Sequence, residues 1–180
     1  MEQLTVQERN KTAALYGIIT GVFYIMIATI YFSQVSNMVA ASAVKIAGYV
    51  LFLAITALLA ARIRKANGGY IEFKEIYGAI FVMLLVSGTM YFLYNYIYIE
   101  FIDKQYVYKV RAAMVAFNEK RGSSGEQITK SLHDFDKQVE ESKHFNFKNN
   151  VFAYLMNLCV DSLFGLIIAL IIKRKRSATY

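Results

Sequence analysis

The sequence predicts an all-α integral membrane protein with four transmembrane helices. Three observations carry this. Four long runs lack charge almost entirely, none of them alternates in polarity, and proline is absent from the 180 residues. A hydrocarbon core about 30 Å thick needs roughly 20 apolar residues in helix. Backbone amides find no water there, so a spanning segment is a helix or part of a closed barrel. Barrel strands are about 10 residues long and alternate in polarity, which excludes that solution. Without proline, nothing within a run removes an amide donor. A hydrophobic share of 57% and a mean hydropathy of +0.36 agree.

The first run extends uncharged from Thr12 to Val44, with its dense part giving a helix over about 13–34. The second is uncharged from Ile46 to Ala61, and a snorkelling Lys45 extends it to about 44–61. The third covers 76–99 without a charge. The fourth, about 151–172, carries one, Asp161. Ala41-Ser42-Ala43 has the look of a signal cleavage site. The run before it is longer than a signal core of about 7–15 residues, so a retained span is expected. The single cysteine, Cys159, lies in the fourth run, so no internal disulfide is expected.

Basic residues set the expected orientation. Arg9 and Lys11 precede the first run, Arg62, Arg64, Lys65 and Lys74 follow the second, and Lys173 to Arg176 follow the fourth. Alternation of this kind places both termini in the cytoplasm. The segment 100–150 holds nine Lys/Arg against eight Asp/Glu, too balanced to oppose an external position. The +7 net charge is largely this bias. No basic stripe with interleaved aromatics lies outside the runs, so no nucleic-acid partner is expected.

The segment 100–150 is too long for a structureless connection. Val107, Val110, Met114 and Phe117 recur at helical spacing, as do Ile128, Leu132, Phe135 and Val139. Gly122 suits a left-handed cap, and Ser123 with Glu126 has the spacing of a capping box. An external amphipathic helical hairpin is the expectation, continuing outward from the third and fourth helices without a break after Ile99; the alternative is that the two helices lie flat on the membrane surface. The tyrosines from Tyr91 to Tyr108 are expected to form an interfacial belt.

The stretch from Asn67 to Gly78, Asn-Gly-Gly-Tyr-Ile-Glu-Phe-Lys-Glu-Ile-Tyr-Gly, joins a Gly-Gly turn to an amphipathic lead-in and a long apolar helix. Together with the four-run layout and Ser123 to Ile128, it resembles a bacterial membrane family catalogued as domain of unknown function 4199. The resemblance covers nearly the whole chain. It implies an integral inner-membrane protein of four helices with a charged amphipathic segment before the last, and it implies no activity. Gly68 and Gly69 permit backbone angles closed to other residues, which suits the turn that starts the third helix.

Asp161 is the sharpest chemical signal. A carboxylate near mid-depth costs roughly 2.5–3.5 kcal/mol on insertion scales. Asp161, Gly165 and Ala169 share one helix face, and that face can approach a neighbour closely. Ser87 and Thr89, near the middle of the third helix, are the expected hydrogen-bond partners. The readings are a proton, ion or coupling site, or a bond that holds the bundle together. Ala13, Gly17 and Gly21 form a stripe of small residues that serves either packing within the chain or a seam between two copies. His133, Asp136, Glu140 and His144 share one side of a helix, which alone cannot close a metal's coordination sphere, so no metal or cofactor is expected. Lys173 to Arg176 read as an anchor that can also hold anionic lipid.

Patterns such as HExxH, GxSxG and GxxxxGK[ST] are missing, so no enzyme is expected. The chain reads as one membrane domain, 1–180, in the bilayer of a bacterial inner membrane. A non-enzymatic scaffold or partner-modulating protein comes first, because no second ionisable group shares the depth of Asp161. The alternative is a small oligomeric transporter or proton- or ion-coupled protein using Asp161. A homo-oligomer or a membrane-protein partner suits either reading.

Overall fold

The computed structural model describes residues 4–143 and 147–174. It is all-α. Six helices follow in order: α1 (Val6–Ser33), α2 (Met38–Ala66), α3 (Phe73–Ile97), α4 (Tyr106–Lys120), α5 (Gly125–Lys143) and α6 (Phe147–Ile172). Four helices, α1, α2, α3 and α6, are long and apolar enough to cross a membrane.

Each spanning helix is longer than its uncharged run predicts. Charges do not end helices; caps do. Thr5 caps α1, and its hydroxyl and backbone amide pair with Glu8 in a reciprocal capping box. Asn37 caps α2 by accepting from the Ala40 amide at 3.2 Å. The connection from α1 to α2 is therefore short, and Ala41-Ser42-Ala43 lies inside a helix. Lys45 is not at a helix edge but two turns into α2.

Helix α3 is the centre of the bundle. Ile76, Ala79, Ile80, Met83, Leu84 and Ser87 recur at helical spacing and are all buried. Helix α1 packs closely on it. A Cβ on Gly17 would lie 2.9 Å from the Met83 carbonyl oxygen, and one on Gly21 would lie 2.7 Å from Met90 Sδ. Ala13 is fully buried. The small-residue stripe is thus used within the chain. Gly48 of α2 meets Ile27 of α1 in the same way. The outward flanks remain apolar: Leu15, Met26, Leu58, Leu163 and Ile171 are all more than half exposed. Exposed apolar flanks of this extent suit contact with lipid.

One end of the bundle is latched. Helix α2 stops in a Schellman motif: Gly69 N–H donates to the Arg64 carbonyl at 3.0 Å and Gly68 N–H to Lys65 at 3.2 Å. Both glycines have positive φ, 78° and 85°. They end α2 rather than start α3, which opens four residues later at the Glu72 cap. Ile71 and Arg174 exchange two backbone hydrogen bonds at 3.0 and 3.1 Å. Leu4 N–H donates to Asn67 Oδ1 at 3.0 Å, and Arg64 Nη1 donates to the Ile172 carbonyl at 3.0 Å. Buried Arg9 meets Glu75 at 2.7 Å. Residues 4–9, the α2–α3 turn and 172–174 therefore share one end.

At the other end α3 continues through a π-helical turn, Tyr98–Ile102, and then breaks at Asp103. Lys109 pairs with Asp103 at 2.7 Å across that break. The uninterrupted continuation expected after Ile99 is not observed. Helices α4 and α5 run antiparallel: Arg111 meets Asp136 at 3.1 Å and Asn118 meets Ser131 at 3.4 Å. Gly122 (φ 72°) closes α4 in a second Schellman motif. The capping box that opens α5 joins Ser124 to Gln127, one residue later than the spacing of Ser123 and Glu126 suggests. The Schellman turn uses the Ser123 amide, which donates to the Asn118 carbonyl. Tyr106, at the root of α4, packs edge-on against Phe32 of α1 at 5.3 Å.

Two stability predictions follow from these contacts. Replacing Gly17 by Ala drives a methyl into the Met83 backbone, so it should cost about 1–3 kcal/mol. Gly21→Ala should cost less, because the Met90 thioether can swing aside. Thermal unfolding in detergent reads the order, and equal costs would contradict the packing. Glu75→Gln leaves Arg9 buried without a counter-charge and should cost about 3 kcal/mol. Much of that loss should return in Arg9→Met/Glu75→Leu, measured the same way.

Candidate functional site

Polar residues are scarce in the spanning helices, yet several recur at helical spacing. Helix α2 carries Lys45 and Tyr49, α3 carries Tyr91 and Asn95, and α6 carries Tyr154, Asn157 and Asp161. Residues three or four apart lie on one helix face. The bundle turns these three faces toward one another, with Tyr24 of α1 beside them. Together they line a cavity of about 370 Å³. It lies in the half of the bundle away from the latched end.

Asp161 sits at the inner limit of this cavity. It lies eleven residues before the end of α6 at Ile172, or about 16 Å along the helix at 1.5 Å per residue. Tyr49 Oη donates to Asp161 Oδ1 at 2.7 Å. Tyr49 is held in turn by Phe52, whose ring centroid is 6.1 Å away, and by Phe164, edge-on at 5.7 Å. Phe52 also stacks on Tyr24 at 4.6 Å, and Tyr24 on Tyr91 at 4.4 Å. The carboxyl therefore rests on a stacked aromatic wall. Below it the bundle closes. A Cβ on Gly165 would lie 3.0 Å from both Ile80 and Leu84, and Ala169 is fully buried. The face shared by Asp161, Gly165 and Ala169 lies against α3 below the acid and opens to the cavity at the acid.

Ser87 and Thr89 do not reach Asp161. The buried Ser87 hydroxyl donates back to the Met83 carbonyl at 2.9 Å. Thr89 donates to the Leu85 carbonyl at 2.7 Å and meets Tyr154 Oη at 2.9 Å. A hydroxyl in lipid finds its own helix's carbonyl first, so the acid takes its donor from α2 instead. Tyr49 escapes a reading of the sequence because a tyrosine in an apolar run passes for packing. The spacing of Asn157 and Asp161, and of Lys45 and Tyr49, is the signal that points to it.

The tyrosines near the end of α3 also differ from a simple belt. Tyr98 stacks on Phe32 at 4.1 Å, and Tyr94 Oη meets Thr29 at 2.7 Å. They hold α1 to α3. On α5, Asp136 is engaged by Arg111, and His133 lies 3.9 Å from Asp134. Among the described residues no group of three His, Cys, Asp or Glu side chains gathers as a metal would need. His144 and the side chain of Glu140 lie outside the described residues.

A profile of the protein family of unknown function DUF4199 matches residues 15–174. The chain belongs to the DUF4199 family. The match covers every residue of the cavity and the turn at Gly68 and Gly69. No curated protein and no solved structure matches the chain. The chemistry of this DUF4199 protein therefore rests on its own geometry.

Tyr49→Phe removes the donor to a half-buried carboxyl and should cost about 1–3 kcal/mol. Ser87→Ala removes only a back-bond and should cost less. Thermal unfolding of both variants in one detergent compares them. A larger loss at Ser87 would mean that the acid is bonded to α3.

Proposed function

We propose that this protein is a non-enzymatic membrane protein that binds a small polar solute or cation at Asp161 and couples to it. The single observation that favours this over a scaffold is that Asp161 faces a cavity rather than α3. A carboxyl kept only to hold helices together would be closed in by them. Among the described residues this one has one donor, Tyr49, and it lines a cavity together with Asn157 and Asn95. Intramembrane acids that face a cavity mark solute and ion pathways. A volume of this size, mostly apolar with a few convergent polar groups, is that of a small-molecule pocket. Lys45, nearer the mouth, complements an anionic group on the same solute. Four helices make a narrow bundle, so a complete pathway would form between copies of the chain.

In this reading the bilayer is a bacterial inner membrane. The latched end, with Arg62, Arg64, Lys65 and Lys173, faces the cytoplasm under the positive-inside rule. Helices α4 and α5 then form an external hairpin above the cavity mouth. Their half-buried apolar stripes face each other and leave charged faces outward, which supports a second reading: the hairpin as a docking element for a membrane partner.

Dicyclohexylcarbodiimide, which modifies protonated carboxyls in apolar surroundings, tests the first reading in proteoliposomes. Intact mass should show one adduct on Asp161, absent from Asp161→Asn, and its formation should slow in methylammonium or sodium. No adduct on assembled protein would mean a sealed carboxyl and would return the scaffold to first place. An adduct indifferent to both cations would reject the cation-binding role.

A further inference from the structure

A second concavity lies at the latched end, between α1 and α2, far from Asp161. Its volume is about 620 Å³. Its two halves differ sharply in chemistry. The rim carries Arg62, Lys65 and Arg174, and the floor is apolar, with Phe23 of α1 beside Ile55 and Leu58 of α2. From Ile55 to Arg62 the trough follows α2 for about 10 Å at 1.5 Å per residue. Phe23 and Leu58 are 45% and 68% exposed, so the floor is uncovered by the rest of the chain.

We infer that this groove is a binding site for one anionic phospholipid, with its phosphate on the rim and an acyl chain on the floor. The charge argument is direct. Arg62 and Lys65 are exposed and meet no acidic side chain among the described residues. Arg174 is fixed in place by the backbone pairing with Ile71, and its guanidinium lies 5.8 Å over the Tyr70 ring. Arg64, beside them, is already committed to the Ile172 carbonyl. Three cations thus converge at the end of the spanning helices with no acidic partner among the described residues. A free phosphate would use the rim and leave the floor bare. A neutral lipid would use the floor and leave the rim uncompensated. An anionic lipid satisfies both. Lys173, which the sequence groups with Arg174, lies instead 5.9 Å over Phe73, away from the groove. The site is therefore narrower than the basic cluster at the C-terminus and draws two of its three cations from α2.

Native mass spectrometry of the full-length protein tests this with phosphatidylglycerol against phosphatidylcholine. Phosphatidylglycerol should be retained preferentially. Arg62→Gln/Lys65→Gln should weaken its binding roughly 30-fold, at about 1 kcal/mol per basic residue. The double variant Lys11→Gln/Lys173→Gln, which removes the same two charges away from the groove, should leave it unchanged. Equal loss in all variants would reduce the effect to bulk charge and overturn the site. Competition by inorganic phosphate at equal concentration would show that the floor is unused and would also overturn it. A phosphatidylglycerol carrying a mid-chain diazirine provides a check on wild-type protein alone. Photo-adducts should map to residues 19–23 and 55–58, and adducts spread over all four helices would refute the assignment.

Discussion

The hydrocarbon layer offers no hydrogen-bond partners, and nearly every feature of this molecule answers that constraint. Backbone groups are satisfied inside helices, because nothing outside can satisfy them. Hydroxyls in the spans follow the same rule. Thr20 donates to Tyr16, Thr56 to Phe52 and Ser162 to Leu158, each to a carbonyl one turn back. Lipid also removes the usual reward for burying apolar surface, so close approach decides which helices meet. Gly17 and Gly21 bring α1 onto α3, and Gly165 brings α6 onto a neighbouring face of α3. Many large apolar side chains, Leu58 and Ile171 among them, are left on the outside, where a soluble protein would have polar ones.

Against this background the two ends of the bundle do different work. At the latched end, one pair of backbone hydrogen bonds, a partly buried ion pair and two side-chain caps join the N-terminal helix, the α2–α3 turn and the last residues of α6. That end is fixed. At the other end the helices are joined by aromatic stacking, and between α2, α3 and α6 a space remains. Asp161 stands where the closed half meets the open half. Its position at that boundary, more than its charge alone, makes it the candidate centre of function. The same latched end presents Arg62, Lys65 and Arg174, which meet no acidic side chain among the described residues, beside an apolar trough.

The spans were legible because absence of charge over some twenty residues has few physical explanations. Their ends were not, because a helix ends where its last carbonyls find caps. The glycine pair at 68–69 was recognised as a turn, but its bonds belong to the helix before it. Asp161 was visible as the one charge in its run. Its partner was not, since choosing between Ser87, Thr89 and Tyr49 requires knowing how three helices rotate about their axes. One-helix spacing could have narrowed that choice: polar residues four apart on α2 and on α6 imply two faces that seek each other. The box that opens α5 lies one residue beyond the Ser123–Glu126 spacing because the glycine turn before it takes up the amide of Ser123. Local motifs compete for the same donors, and only the assembled backbone shows which wins.

The native cysteine provides the most direct test of lipid as the solvent for these helices. Cys159 is exposed on α6, two residues before Asp161. A nitroxide attached there, in protein reconstituted into bilayers, reports the medium at that depth. The account predicts frequent collision with molecular oxygen, which concentrates in hydrocarbon, and little with a water-soluble nickel chelate. Ready relaxation by the nickel chelate would place this flank in water and contradict the account.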